Sequence, residues 1–350
     1  MATFESRPST SCFGPGRVNL MGDHTDYNQG LALPMAVDLG VVVTFDPWEE
    51  ERVDISSDAY PGEAASFPLD PEIESIPELE PAWARLAAAV VSLARPERGG
   101  RFHVSSTLPR GSGLSSSAAV AVAVAELCGV DGDALVIARL CQAAEHRIGV
   151  PVGLLDPLVC AGGHAGQALR IDFATMSARS VTIAADVECI VVDSGQRRDL
   201  RTSAYATRVA ECEAAAAVVG PLGLATDDDI IGLRDPLLRR RARHVVSECA
   251  RVDDFAHALS RGDLADAGHL MDESHRSLAE DFAATTPLIE DLTGQLRSRP
   301  GVVGARMTGA GFGGCVVVLA EPGGCDPAAL DVPAWRVVPV DGTVARRDRD

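Results

Sequence analysis

The segment from Thr107 to Ala119 constrains the fold more than any other stretch of the chain: Thr107-Leu108-Pro109-Arg110-Gly111-Ser112-Gly113-Leu114-Ser115-Ser116-Ser117-Ala118-Ala119. It ends an alternating run, Phe102-His103-Val104-Ser105-Ser106, that predicts a strand, and it opens an Ala- and Val-rich run to Leu127 that predicts a helix. A Gly- and Ser-rich loop between strand and helix leaves backbone N–H groups unpaired at a helix N-terminus, where the dipole favours an anion. Gly111 and Gly113 let the backbone come close to a bulky polyanion, and the serine run adds hydroxyls that reach phosphate or a metal ion. The arrangement suits a nucleoside triphosphate; a simple turn is the alternative at this point.

The chain contains no lysine: all 31 of its Lys and Arg residues are arginine. A Walker-type loop needs Lys after its last glycine, and a protein kinase needs Lys on a strand to hold the phosphates. Both are excluded, as is Schiff-base or pyridoxal chemistry through a lysine amine. If the chain transfers phosphoryl groups, their charge must be handled by backbone amides, Mg²⁺ and arginine.

At 350 residues the chain has room for two domains and a sizeable core. Its 46% hydrophobic content and mean hydropathy of +0.09 are those of a soluble globular protein. Apolar runs such as Leu31 to Val43 are broken by Pro34, Asp38 and Gly40, so no membrane span is expected. Met1 to Thr10 lacks an apolar signal core, which points to the cytoplasm. Nine scattered cysteines form no C-x-x-C pair, so reduced, buried thiols are expected rather than zinc or disulfides. The formal charge of −19 argues against nucleic acid as a partner.

Strands are expected at Gly14 to Asn19, Leu39 to Phe45, Arg101 to Ser106, Gly166 to Asp172 and Val187 to Val192, with helices at Pro81 to Leu93, Ser116 to Leu127 and Asp133 to Ile148. Helices then dominate, at Thr202 to Val219, Pro236 to Arg261, Asp263 to Leu278 and Pro287 to Arg297. Three strands follow, at Gly304 to Met307, Gly314 to Ala320 and Trp335 to Val340. Pro61 to Pro81, acidic and proline-bearing, reads as a surface connection, and Asp193 to Arg201 as a hinge between two lobes.

Gly16 to Tyr27 packs Arg17, Asn19, Asp23, His24, Thr25, Asp26 and Tyr27 into twelve positions ahead of an apolar run. Such density suits a polyhydroxylated ligand: carboxylates accept hydrogen bonds from sugar hydroxyls, and Arg17 can stabilise a developing alkoxide. Glu145 sits late in a predicted helix, as a Mg²⁺ ligand or as an exposed helix residue. Asp156 is a lone carboxylate among apolar residues, in need of a partner; Pro157 after it also allows a helix N-cap. Arg306 to Cys315 holds a second glycine-rich loop between two strands, and His275 on a predicted helix reads as a packing or capping residue.

Together these segments resemble the galactokinases, within the galactose/homoserine/mevalonate/phosphomevalonate kinase superfamily, over nearly the whole chain. Gly16 to Tyr27 is similar to the galactokinase signature, Pro109 to Ala119 to the superfamily phosphate loop and Met307 to Cys315 to its third motif. Ser203-Ala204-Tyr205, Met271 to Phe282 and Asp341-Gly342 add similarities specific to galactokinases. The resemblance implies an α/β fold of two lobes, residues 1–193 and 194–350, with the active site between them and the last strand returning to the first lobe. It implies ATP-dependent phosphorylation of the C1 hydroxyl of galactose by a cytoplasmic monomer. Arg17 and Asp156 match the catalytic pair; Asp23, His24, Asp26, Gly153 and Tyr205 match sugar contacts. Gly111, Ser112, Gly113, Leu114, Ser115, Ser116 and Ser117 match the phosphate cradle, Ser117 and Glu145 the Mg²⁺ ligands, and Trp83 an aromatic residue near the adenine.

Three positions depart from the family pattern. Asp23 stands where most galactokinases carry Glu, so a sugar hydroxyl it grips has to sit nearer or be bridged by water. Pro157 replaces a Gln after the catalytic Asp, and Ala204 replaces a Glu beside Tyr205. Losing one carboxylate–hydroxyl bond costs ~1.5–3 kcal/mol, so hexose identity is the open question: N-acetylgalactosamine and arabinose are alternatives. A sugar sensor without turnover is a further one, disfavoured by the presence of both Arg17 and Asp156.

Overall fold

The computed structural model describes residues 9–109, 111–150, 152–197 and 203–347. Arg110 of the phosphate loop, Pro151, residues 198–201 of the expected hinge and the first eight residues lie outside the described residues. In chain order the first half runs β1 (Thr10–Met21), β2 (Leu31–Pro47), β3 (Arg52–Ser57), β4 (Ala64–Pro68), α1 (Arg85–Ala94), β5 (Gly100–Ser106), α2 (Ser116–Leu127), α3 (Ala134–Arg147), α4 (Leu155–Gly162), β6 (Gln167–Asp172) and β7 (Ser177–Thr182). The second half runs β8 (Glu188–Asp193), α5 (Ser203–Val219), α6 (Asp227–Ile231), α7 (Pro236–Arg261), α8 (Leu264–Glu280), α9 (Pro287–Arg297), β9 (Val302–Thr308), β10 (Cys315–Ala320), β11 (Ala334–Val337) and α10 (Thr343–Arg347).

The long β2 organises the first lobe. It pairs antiparallel with β1 along most of its length, with β5 through residues 41–47 and with β6 at Leu31 and Ala32. Among the described residues this sheet has the order β4-β3-β5-β2-β6-β7, with β1 attached to β2. The β3–β5 pair is parallel, and α1 lies in the crossover between them. Helix α2 is apolar on every side and accordingly buried, at the centre of α1, α3, α4 and the sheet. Its approach to the sheet depends on two glycines of β1. A Cβ at Gly14 would overlap the Ala119 carbonyl, and one at Gly16 would crowd the Leu114 carbonyl oxygen.

The second lobe is an antiparallel sheet of order β11-β8-β10-β9, covered by α8 and α9. Helix α7 joins the lobes, packing on α5 and α8 on one side and on β1, β2 and β7 on the other. One hydrophobic cluster accordingly runs from Val18 and Met35 through Val252 and Phe255 to Leu319. Among the described residues no helix is long and apolar enough to cross a membrane.

Several expectations need correction. The division at residue 193 falls after β8, yet β8 hydrogen-bonds with β10 and β11; the chain changes sheets at 183–187. The 61–81 connection contains β4, whose Ala65 and Phe67 are buried against the lobe core. The last strand pairs with β8, and the return to the first lobe comes just after it. Pro339 bridges Val37, the Val340 N–H donates to the Ala36 carbonyl, and α10 packs on α4.

Candidate active site

In the expected phosphate loop, Gly111 and Gly113 are both at positive φ (70° and 77°). Ser115 precedes α2 in the left-handed region (φ 64°, ψ 46°), and its side chain does not cap the helix. Its hydroxyl turns instead to the Asp156 carboxylate. The first turn of α2 thus presents N–H groups without a side-chain cap, the condition for anion binding. A non-glycine residue in this conformation costs about 1–3 kcal/mol, tolerated where the neighbouring contacts hold it.

Arg17 comes from β1 and meets Asp156 in a two-pronged contact: Nε donates to Oδ1 at 2.7 Å and Nη2 to Oδ2 at 2.8 Å. Its third nitrogen, Nη1, donates to the Gly113 carbonyl at 2.6 Å, and its backbone N–H to the Leu114 carbonyl at 3.1 Å. One arginine therefore ties the acidic group to the phosphate loop. Asp156 lies inside the first turn of α4, whose N-cap is Leu154, so the capping alternative does not apply. Pro157 is buried in the same turn.

Glu145 is not an exposed helix residue; only 6% of it is accessible. Burial raises its carboxyl above the ordinary range, a hydrogen bond from Ser117 pulls it down, and the Asp156 charge raises it again. Among the described residues no cluster of three or more His, Cys, Asp or Glu is arranged to hold a metal ion. One carboxylate beside one hydroxyl at the phosphate loop fits Mg²⁺, which takes few protein oxygens and completes its shell with phosphate and water.

On the other side of Asp156 lies the signature segment. A Cβ at Gly153 would overlap the Asp26 carboxylate, so only glycine leaves that carboxylate its position. Burial, and next the Asp156 charge, push the Asp26 carboxyl up to about 6. His24 hydrogen-bonds the Tyr27 hydroxyl (2.9 Å) and lies 4.4 Å from the Phe282 ring and 5.8 Å from Tyr205, centroid to centroid. Tyr27 meets Tyr205 edge-on at 6.0 Å. Carboxylates and aromatic faces on one wall suit a sugar ring, with its polar rim and apolar faces.

Asp23 differs from these neighbours in being held from the second lobe as well as the first. Oδ1 accepts from Asn19 Nδ2 (2.9 Å) and from the Gly309 N–H (2.8 Å), and Oδ2 from Arg306 Nη2 (2.6 Å). The third-motif loop joins the first lobe at the same place, for Thr308 Oγ1 donates to the Asn19 carbonyl at 2.8 Å. It also reaches the phosphate loop, where Cys315 Sγ lies 3.1 Å from the Ser112 carbonyl oxygen. Behind Arg306, the fully buried Glu248 holds the Gly22 N–H (3.0 Å), Ser274 and Arg251.

Residues 1–47 match the galactokinase galactose-binding signature, 82–164 the GHMP kinases N-terminal domain and 255–326 the GHMP kinases C-terminal region. The chain is 42% identical to the galactokinase of Mycobacterium bovis over 349 residues, 95% of this chain and 91% of that protein. The chain belongs to the galactokinase family. The human galactokinase is 38% identical over 334 residues, covering 91% of this chain and 85% of its own length. Lactococcus lactis galactokinase, solved in complex with galactose, superposes with a TM-score of 0.88 at 26% identity, over 97% of this chain and 96% of that one. A mevalonate kinase shares the fold, with a TM-score of 0.69.

Against this galactokinase frame, Trp83 stands at the entrance to α1. It is stacked on Tyr60 (centroids 5.3 Å apart, planes within 2°), and its indole N–H donates to Glu63. His275 is buried and accepts the Met307 N–H on Nδ1 (3.2 Å), a packing role. Four residues went unremarked as site residues in the sequence: Arg197, Arg306, Glu248 and Phe282. Arg197 pairs with Asp193 at 2.9 Å and lies against Gly111, bringing a second arginine to the phosphate loop. Glu248 left a signal, a carboxylate on the apolar stripe Val245, Cys249 and Val252 of α7.

Proposed function

We propose that this galactokinase-family chain transfers the terminal phosphoryl group of ATP to the C1 hydroxyl of galactose. The observation that carries the reading is the two-pronged Arg17–Asp156 pair, joined through Ser115 to the uncapped N-terminus of α2. It sets a proton acceptor and a cation side by side where the phosphate loop ends. Asp156 orients the sugar hydroxyl and takes its proton; Arg17 stabilises the charge on the attacking oxygen and on the phosphoryl group in flight. Positioning and charge neutralisation are most of what phosphoryl transfer requires of a protein.

His24, Asp26, Gly153 and Tyr205 form the sugar wall, and residues 111–117 the phosphate cradle. Glu145 and Ser117 would hold Mg²⁺, which neutralises phosphate oxygens when bound. Trp83, stacked on Tyr60, offers a flat apolar surface for the adenine, and Arg197 a charge for the phosphates. We read the catalyst as a cytoplasmic monomer acting on free sugar and ATP. Nine free thiols suit a reducing compartment, and a net charge of −19 argues against nucleic acid as a partner.

The test is ATP consumption with Mg²⁺ against galactose, 2-deoxygalactose, glucose, N-acetylgalactosamine, arabinose and no sugar. Turnover highest with galactose is expected. Turnover highest with another sugar moves the specificity and keeps the chemistry; ATP binding without turnover on any sugar removes the kinase reading.

A further inference from the structure

We infer that Asp23 is a positioning residue that clasps the two lobes and sets the ATP side of the site, and is not a ligand of the sugar. The inference rests on the galactokinase reading and departs from the sugar-contact role that its place in the signature implies. Asp23 is 3% exposed, and both carboxylate oxygens are bound within the protein. Asn19, the Gly309 N–H and Arg306 fill three of the about four acceptor positions of this buried carboxylate, leaving it little to offer a sugar hydroxyl. Arg306 is itself wholly buried, with Nη1 on the Leu20 carbonyl (2.9 Å) and Nη2 shared between Asp23 and Glu248 (3.3 Å).

The segment 19–23 of the first lobe and 306–309 of the second are thus knitted at Asn19, Leu20 and Asp23, with Gly22 held from behind by Glu248. Asp23 bonds Gly309, the first residue of the glycine-rich loop. That loop continues to Gly314, whose N–H donates to the Gln196 carbonyl (2.9 Å) beside Arg197, and to Cys315 against Ser112. The chain of contacts leads from Asp23 to Arg197 and to the Ser112 carbonyl, both at the phosphate loop. A carboxylate one methylene shorter than Glu belongs to this arrangement, because it stays within the interface.

The test uses calorimetry on the whole chain, so it does not depend on turnover. Galactose, its 2-, 3-, 4- and 6-deoxy analogues and a non-hydrolysable ATP analogue with Mg²⁺ are titrated into wild type and Asp23→Asn. Asp23→Asn is expected to weaken the ATP analogue about tenfold. The ratio of galactose affinity to each deoxygalactose affinity should stay within about twofold of wild type, since no hydroxyl loses a partner. Collapse of any one ratio toward unity overturns the proposal, because Asp23 then reads that hydroxyl. A variant that melts earlier but binds the ATP analogue as wild type does also overturns it. Should Asp23→Asn fail to fold, Thr308→Val removes the neighbouring bridge to Asn19 without burying a charge. The same weakening with unchanged sugar ratios is expected, and wild-type ATP-analogue affinity in that variant overturns the clasp.

Discussion

Arg17 and Asp156 hold each other through two hydrogen bonds, so neither side chain waits for substrate to find its place. Asp156→Asn keeps the shape but neither takes a proton nor accepts from both guanidinium nitrogens. Turnover is expected to fall by about 10²–10⁴ while calorimetry still detects sugar binding; a kcat near wild type would remove Asp156 from the reaction. Asp26 titrates in a usable range, near 6, because burial and then Asp156 disfavour its charge. On the proposed sugar wall, protonation would take away an acceptor for a sugar hydroxyl. The kcat/KM for galactose should therefore drop up to about tenfold per pH unit below about 6, and Asp26→Asn should abolish that limb. A flat wild-type profile between pH 7 and 5 contradicts this. Its stability effect has the opposite sign: the folded value lies above the ordinary 3.8, so Asp26 favours folding more as pH falls from about 6 towards 3.8. At this scale Asp156 was legible as a lone carboxylate in apolar surroundings and Arg17 as part of a dense polar segment. The partner of Asp23 was not, since Arg306 lies 283 residues away.

Element boundaries were clearest where local chemistry ends a helix. Asp235 caps α7 ahead of Pro236 and Gly262 closes it at φ 69°, while Thr286 caps α9 ahead of Pro287. Both helices match the expected limits. Strand β7 escaped notice because it is an edge: Val181 is its one buried side chain, so no alternation marks it. Helix α2 shows what an element needs from its neighbour. Its small residues and Gly14 bring helix backbone onto strand backbone, and a methyl at Gly14 has no room. Gly14→Ala is expected to destabilise by about 1–3 kcal/mol and to raise the KM for ATP more than that for galactose, as the N-terminus of α2 shifts. Thermal melts and the two titrations check this; an unchanged Tm would mean that α2 relaxes freely away from β1.

Across the whole molecule, buried titratable groups gather where α7, α8 and β9 meet the signature segment. Burial alone would raise Glu248, but Arg251, Arg306 and His244 overrule it and hold it near 2. Burial pushes His244 down to about 4 and His275 to about 3, so both are neutral. His244 then donates from Nε2 to the Asp23 carbonyl (3.1 Å) and accepts the Ser277 hydroxyl on Nδ1 (2.9 Å). The signs agree. Unfolded histidines take up protons below 6.5 while the folded ones do not, so each removes up to about 1.4 kcal/mol per pH unit as pH falls below that value. Glu248 stabilises fully above 4.5 and loses that contribution as pH falls towards 2. Urea midpoints should therefore fall between pH 7 and 5 and more steeply below 4.5, and a midpoint constant down to pH 5 would contradict the buried histidines.

The sequence by itself determined what depends on near neighbours: the helix and strand periods, the caps, the glycine loop at a helix N-terminus, and the exclusion of lysine chemistry. Those follow from residues within a few positions of one another. Tertiary structure alone decided which carboxylates are free for a ligand. Asp23, Asp26, Glu145 and Glu248 look alike along the chain, yet one is clasped by a distant arginine, one is raised beside another acid, one is held by a serine and one is locked between two arginines. The energy of a buried charge is set by the partners and solvent the fold places around it, and for Asp23 and Asp26 the deciding groups, Arg306 and Asp156, are far off in the chain.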